Sequence, residues 1–377
     1  MANTLANLIP EVLVNLDVVS RELTGFIPAV TLDAEASRAA KDQTVRSFVA
    51  PAATAGDITP GVTPPDDGDQ TIGNTTLSIT KSRRVPIRWN GEQSLGVNYG
   101  NGASAIRAAQ IQQAIRTLVN EIESDLAGLH AYASRAAGTA ATTPFGTAND
   151  YTGASLTRKI LADNGCPMSD LQLVIDTTAG ANIRGKQAAA ADAGGDSILR
   201  QGVLMDINGF MVRESAQVKA PTAGSVSGTL ASLARAVGTT SLTTSADYTS
   251  TLLAGDVITI AGDTNQYVIT SISASAITIG APGLMQATTT GTKAITVVAT
   301  ARRNMGFHRS AIVLAHRLPA LPDGGDLAVD RRTVTDPRSG LSFEVAMYPQ
   351  YRQMQYEISC AWGVKLVKPE HCALLLG

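Results

Sequence analysis

The amino-acid sequence predicts an α+β fold, and three observations predict it. Residues 103–138 carry one long helical period. Residues 171–175 and 341–376 carry strand-like runs from distant parts of the chain. Between them, residues 221–299 form a Thr- and Ser-rich stretch of short strands punctuated by glycine. With 377 residues, the chain is long enough for two or three domains and a substantial core.

The helix comes first because the rest is arranged around it. Ile111, Ile115, Leu118, Ile122, Leu126 and Leu129 recur at spacings of three and four and share one face. Gln112, Gln113, Arg116, Asn120, Glu121, Glu123, Ser124 and Asp125 supply the opposite, polar face. Gly138 and the Thr-rich tract behind it provide the stop. Such a helix spans roughly 50 Å, too long to stand without a sheet or partner chain along its apolar side.

Toward the N-terminus, Leu5, Leu8, Ile9, Val12, Leu13 and Leu16 form an apolar stripe. Leu8, Val12 and Leu16 are candidates for an interface with a neighbouring subunit or with the chain's own body. Residues 31–41 read as a loose connector. From Val45 to Trp89 two extended segments flank a tip rich in Pro, Gly and Asp, and Leu77, Ile79, Val85, Ile87 and Trp89 alternate along the returning arm. An arm of that kind reaches roughly 40 Å, and a two-stranded hairpin is marginal on its own. It is therefore expected to lie on another copy of the molecule. Lys81, Arg83, Arg84 and Arg88, with Trp89, are the polar and aromatic candidates for subunit contacts, the cations also guarding a strand edge.

Residues 155–164 read as a short helix, Leu171 to Ile175 as a buried strand and Gly180 to Arg184 as the start of another helix. Within the insertion, runs at 257–260, 267–269, 277–279 and 295–298 predict a small antiparallel β-barrel. Afterwards Leu341, Phe343, Val345 and Met347 alternate, as do Tyr356, Ile358, Cys360 and Trp362, and residues 373–376 close the chain as an apolar strand.

Composition excludes several functions. A formal charge of −2 does not suit an electrostatic nucleic-acid binder. Cys166, Cys360 and Cys372 are too few and too scattered for a disulfide framework and are expected as buried thiols from a reducing cytoplasm. The N-terminus has no signal-peptide pattern, and no apolar run is long enough to span a membrane. Asp66, Asp67 and Asp69 lack the spacing and closing glutamate of a calcium loop. Gly100 to Ala105 fits a dinucleotide-binding turn only in letters, since the helix runs on where a second strand is needed. His130, His308, His316 and His371 are dispersed, with no zinc, phosphate-loop or nucleophile-elbow pattern around them. No enzyme chemistry, cofactor or metal is expected.

The order of parts resembles tailed-phage major capsid proteins of the Hong Kong ninety-seven type, in particular the P-twenty-two-like branch with its inserted barrel. The resemblance lies in Met1-Ala2-Asn3-Thr4-Leu5 with Pro10-Glu11-Val12-Leu13, then the hairpin and the helix. It continues in Asp196-Ser197-Ile198-Leu199-Arg200-Gln201-Gly202 and Ile207-Asn208-Gly209-Phe210-Met211-Val212-Arg213-Glu214-Ser215. It also includes Gly255-Asp256-Val257-Ile258-Thr259-Ile260-Ala261-Gly262, Gly340-Leu341-Ser342-Phe343-Glu344-Val345 and Trp362-Gly363.

The resemblance implies an N-terminal arm at 1–44, an extended loop at 45–90, and a peripheral domain on a spine helix at 91–149. It implies an axial domain at 150–220 and 300–377 and an insertion barrel at 221–299. The implied function is a structural coat protein that self-assembles as hexamers and pentamers into an icosahedral head around double-stranded DNA. The implied partners are copies of itself, portal and scaffolding proteins, and DNA through weak non-specific contact, with no membrane. The implied location is the virion, after synthesis in a bacterial cytoplasm. A phage tail or adhesin-type structural protein, and a hydrolase with a Ser and His brought together by folding, are the alternatives.

Overall fold

The structure, a computed structural model, describes residues 24–49, 55–63, 68–69, 71–97, 102–147, 150–189, 204, 206–225, 227–337 and 339–377. The apolar stripe containing Leu8, Val12 and Leu16, the segment 196–202, and Asp66 and Asp67 lie outside the described residues.

In chain order, β1 (Thr31–Ala39) is followed by the pair β2 (Thr44–Val49) and β3 (Gly73–Ser78), then β4 (Lys81–Asn90) and a short helix α1 (Gly91–Val97). The long helix is α2 (Gly102–Gly128). A single 3₁₀ turn then leads to β5 (Arg135–Ala137), α3 (Thr152–Asp163), β6 (Leu171–Ile175), α4 (Thr177–Ala189) and β7 (Phe210–Glu214). The insertion supplies β8 (Ser227–Leu230), β9 (Ser241–Thr243), β10 (Val257–Ile260), β11 (Gln266–Ser273), β12 (Ala276–Ile279) and β13 (Lys293–Val297). The chain closes with β14 (Arg303–His308), β15 (Ile312–Pro319), β16 (Asp330–Thr335), β17 (Ser342–Gln350), β18 (Gln353–Leu366) and β19 (Cys372–Leu376).

Two sheets carry the body. In the first, β18 pairs with β4 along one edge, and with β17 and β15 in succession along the other, while β16 and β1 lie outermost. The second runs β7-β6-β14-β19-β5 and continues into the insertion through β11, because β5 pairs with both β19 and β11. Helix α2 lays Ile111, Ile115, Leu118, Ile122 and Leu126 into one core with Phe343, Ile358 and Trp362 of the first sheet and Met305, Phe307 and Leu374 of the second.

Four expectations change. The long helix stops at Gly128, ten residues before Gly138, so it spans roughly 40 Å. Residues Arg135–Ala137 are needed instead as the strand that joins the body sheet to the insertion. Gly138, with φ near +99°, ends that strand, and an added Cβ would meet the Leu376 carbonyl oxygen at 2.8 Å. Residues 31–39 are not a connector but β1, paired parallel to β15. Segment 300–377 is not one unit: β14 and β19 belong to the second sheet, whereas β15 to β18 form the first with β4 and β1. Finally, the arm from 45 to 90 is not one hairpin. Only β2 and β3 pair as a hairpin, and β4 lies on the body against β18.

Within the insertion, β8-β13-β10-β11-β12-β9 pair in succession. Leu230 and Thr244 form a bridge, with Ala231 N donating to the Thr243 carbonyl at 3.0 Å and Ser245 N to the Thr229 carbonyl at 3.0 Å. Its apolar core, including Leu242, Ile260, Ile269, Ile277, Leu284 and Ile295, is drawn entirely from the insertion.

Candidate assembly interface

The predicted cations sit on β4, so their partners are on the chain itself. Lys81 Nζ lies 3.0 Å from Glu121 Oε1 and 2.9 Å from Asp125 Oδ1, and Arg83 Nε lies 3.2 Å from the same Glu121 oxygen. Trp362 Nε1 donates to Asp125 Oδ2 at 2.9 Å, and Lys81 stands 5.8 Å from the centre of the Trp362 ring. Partial burial alone would lower the Lys81 pKa, but the hydrogen bonds to Asp125 and Glu121 outweigh it and hold it above its ordinary value. On the opposite face, Arg84 pairs with Glu357 at 2.7 Å and Arg88 reaches Gln355 at 3.4 Å. Trp89 Nε1 donates to Gln110 on α2 at 2.7 Å. These residues tie β4 to the helix and the sheet, which corrects their placement on a projecting hairpin.

The hairpin itself starts where β3 crosses the end of β18. At Gly363 the Ser78 carbonyl oxygen approaches so closely that a Cβ would lie 2.0 Å from it, so this position takes glycine because the backbones touch. Lys365 Nζ donates to the Thr76 carbonyl at 2.7 Å. From Ser78 to Thr76 the hairpin therefore follows β18 from Gly363 to Lys365, away from Gln353. Leu77 and Ile79 are buried against Ala39, Ala315 and Ala361, which fixes the base. Beyond the strands, Ile58 is 98%, Val62 106% and Ile72 69% exposed. Among the described residues nothing covers these apolar side chains.

Two grooves adjoin β4. One of about 320 Å³ runs between the helix and β4, lined by Val85, Ile87, Gln110 and Ala114. The other, about 830 Å³, lies at the far end of β4, where Trp89, Gly91, Glu92, Ser94, Arg352 and Met354 surround it.

The chain is similar to solved phage and particle shells along nearly its whole length. Against a structure titled the capsid of the cyanophage P-SCSP1u it is 11% identical, with a TM-score of 0.49, 92% of this chain and 86% of that one being covered. Against the capsid of a native GTA particle it is 10% identical with a TM-score of 0.46, covering 95% and 91%. Against a virus-like particle from Pyrococcus furiosus it is 8% identical with a TM-score of 0.42, covering 99% and 100%. No family model and no curated protein matches it.

Sequence reasoning missed the anchor of the segment that enters the body at residue 25. Glu123, assigned by periodicity to the polar face of the helix, is 1% exposed. Its carboxylate accepts from Phe26 N at 3.1 Å, Ile27 N at 2.8 Å and Ser215 Oγ at 2.9 Å. Burial raises its pKa, against the lowering effect of those same hydrogen bonds. Gly25 passes so close to Glu214 and Ser215 that a Cβ would lie 2.7 Å from the Glu214 carbonyl oxygen. No pattern local to residue 123 reveals this, because its donors come from 26, 27 and 215.

Two further points bear on chemistry. Among the described residues no three His, Cys, Asp or Glu side chains are grouped to hold a metal, and no helix is long and apolar enough to cross a membrane. Cys166, Cys360 and Cys372 are free and buried, and burial pushes the Cys166 thiol up to about 11, away from thiolate reactivity.

Proposed function

We propose that this chain is the major coat protein of a tailed-phage head, a structural subunit rather than an enzyme, completed by copies of itself in a closed shell around double-stranded DNA. The observation that carries the reading is the hairpin of β2 and β3. It is keyed rigidly to the body at Gly363 and presents Ile58, Val62 and Ile72 bare to solvent. A subunit with a projecting limb touches several neighbours, and modest contacts add by multivalency. The near-neutral charge suits a wall that must not bind packaged DNA tightly.

On this reading α2 is the spine of a peripheral part made with β4 and β15 to β18, and β5, β6, β7, β14 and β19 with α3 and α4 form the axial part. The insertion is a small six-stranded barrel, which the pairing of β8 with β9 through Leu230 and Thr244 supports. Of the arm expected at 1–44, residues 31–39 belong to the body as β1, and Leu8, Val12 and Leu16 remain candidates for a subunit contact. Hexamers and pentamers, a portal and a separate scaffolding protein complete the particle. The subunit is made in a bacterial cytoplasm and ends in the virion.

Deletion of residues 56–73 tests the proposal. The variant is expected to remain a folded, soluble subunit by circular dichroism and thermal melting, and to form no closed shells by electron microscopy. Normal particles from the deletion would overturn it.

A further inference from the structure

Two arginines are buried where the insertion meets the body, and their surroundings differ. Arg135 on β5 is 2% exposed, and both its terminal nitrogens are engaged: Nη1 donates to Asn265 Oδ1 of the insertion at 3.0 Å, and Nη2 to Asn164 Oδ1 at 2.8 Å and the Ile160 carbonyl at 3.3 Å. Arg303 on β14 is 1% exposed, and among the described residues none of its three guanidinium nitrogens has a hydrogen-bond partner. Burying an ionised group without a partner is costly, so a position that only fills the core does better with an apolar side chain.

The opposite charge nearest to hand belongs to the insertion. Asp256 is 3% exposed, and its carboxylate accepts from Gly224 N at 3.1 Å and Leu253 N at 2.8 Å, with no cation bonded to it among the described residues. Burial lowers the Arg303 pKa, and Asp256 is close enough to act against that lowering. His130 marks the place from the helix side: a Cβ on Gly255, the residue before Asp256, would lie 3.3 Å from its Nε2. Lys219, the other cation here, is taken by Ser124 Oγ at 2.5 Å.

The seam between body and insertion is pinned at one end and unmade at the other. Arg135 and Arg303 pair with Ala373 and Leu376 from the two edges of β19, so their backbones stand roughly 14 Å apart. Near Arg135, β5 pairs with β11, and a Cβ on Gly280 would lie 2.2 Å from the Ala133 carbonyl oxygen, so the backbones touch. Near Arg303, a cation of the body and an anion of the insertion lie across the seam unpaired. A pivot at one end and an unmade ion pair at the other is the arrangement of a latch.

We propose that Arg303 and Asp256 form a latch, open in the free subunit, which closes into a buried ion pair when the insertion settles on the body in the shell. This rests on the reading of the chain as a shell subunit. It assigns Arg303 to the assembled state, because an unpartnered guanidinium only destabilises the free one.

The test is a double-mutant cycle on the full chain, read by calorimetry both on unassembled subunits and on shells. The variants are Arg303→Met, Asp256→Asn and the two together. In subunits Arg303→Met is expected to raise the Tm by about 3 °C, since a buried charge without a partner is removed. Asp256→Asn is expected to lower it through weaker contacts to Gly224 and Leu253, and the double variant to show the sum of the two. In shells each single variant is expected to lower the Tm by about 5 °C, and the double variant to fall no further than either alone. A lower subunit Tm for Arg303→Met, or a chain that no longer folds, would mean that the guanidinium is already satisfied; this would overturn the latch and leave the shell reading intact. Additive losses in shells would do the same, since residues that do not pair do not couple. No shells from the unsubstituted chain would overturn both.

Discussion

The region around α2 and the hairpin loop satisfy their surfaces in opposite ways. Around α2 every predicted interface residue on β4 has a partner within the chain: Lys81 on Glu121 and Asp125, Arg83 on Glu121, Arg84 on Glu357, Arg88 on Gln355 and Trp89 on Gln110. Even the buried Glu123 is supplied with donors from residues 26, 27 and 215. Across 55–72, by contrast, Ile58, Val62 and Ile72 touch solvent and the local charge is all of one sign. One region is closed on itself and the other is open. On the function proposed above, the cohesion of the subunit and that of the assembly fall to different residues, so each is expected to change without the other.

The sharpest way to break that contrast is the deletion of 56–73, which is expected to abolish shells while leaving the melting temperature within a few degrees. A large loss of subunit stability would show that the loop belongs to the fold. Next in size is Glu123→Ala, which strands two buried backbone donors and Ser215 and is expected to cost about 3 kcal/mol in urea unfolding. A cost under 1 kcal/mol would mean that the junction at residue 25 is not held as described.

A pH effect follows from His316. Burial, with Arg317 beside it, pushes its pKa down to about 4, and the ring packs edge-on against Phe343 at 5.9 Å. The folded state therefore holds the neutral ring while the unfolded chain takes up a proton below about 6.5. The resulting stability is complete above about 6.5 and falls away as the pH drops toward 4, by about 3 kcal/mol. His316→Gln should flatten that part of the unfolding profile, and an unchanged profile would remove His316 as its source. The smallest effect is expected from Lys81→Ala. A partly exposed lysine between two carboxylates contributes about 0.5 kcal/mol, screened by salt, and assembly should be unaffected if these cations serve the body alone.

Much of the body was legible because its strands are buried on one or both faces. Leu171 to Ile175, the runs at 257–260 and 277–279, and the alternations around Phe343 and Ile358 all lie in strands. Strand β16 (Asp330–Thr335) was not legible, because it is an outer strand of polar residues whose Arg331 turns to the buried Glu344 on β17. Glu344 also pairs with Arg38 of β1, a charge far away in sequence that no local pattern announces. The hairpin was misread for a different reason. Leu77, Ile79, Val85, Ile87 and Trp89 keep one parity across the break at 79–80, so period alone does not show the chain passing from one sheet to another. At the candidate interface, the exposed loop was visible as a Pro- and Asp-rich tip. The groove that faces the other way was not, since β4, α1 and the turn between β17 and β18 meet only in three dimensions.

Electron microscopy of the purified full-length chain, paired with hydrogen exchange at 55–72, tests the central claim most directly. Closed shells of uniform diameter, in which the amides of this loop become protected only on assembly, are predicted. A compact monomer under every condition, with the same amides already protected against its own body, would contradict it.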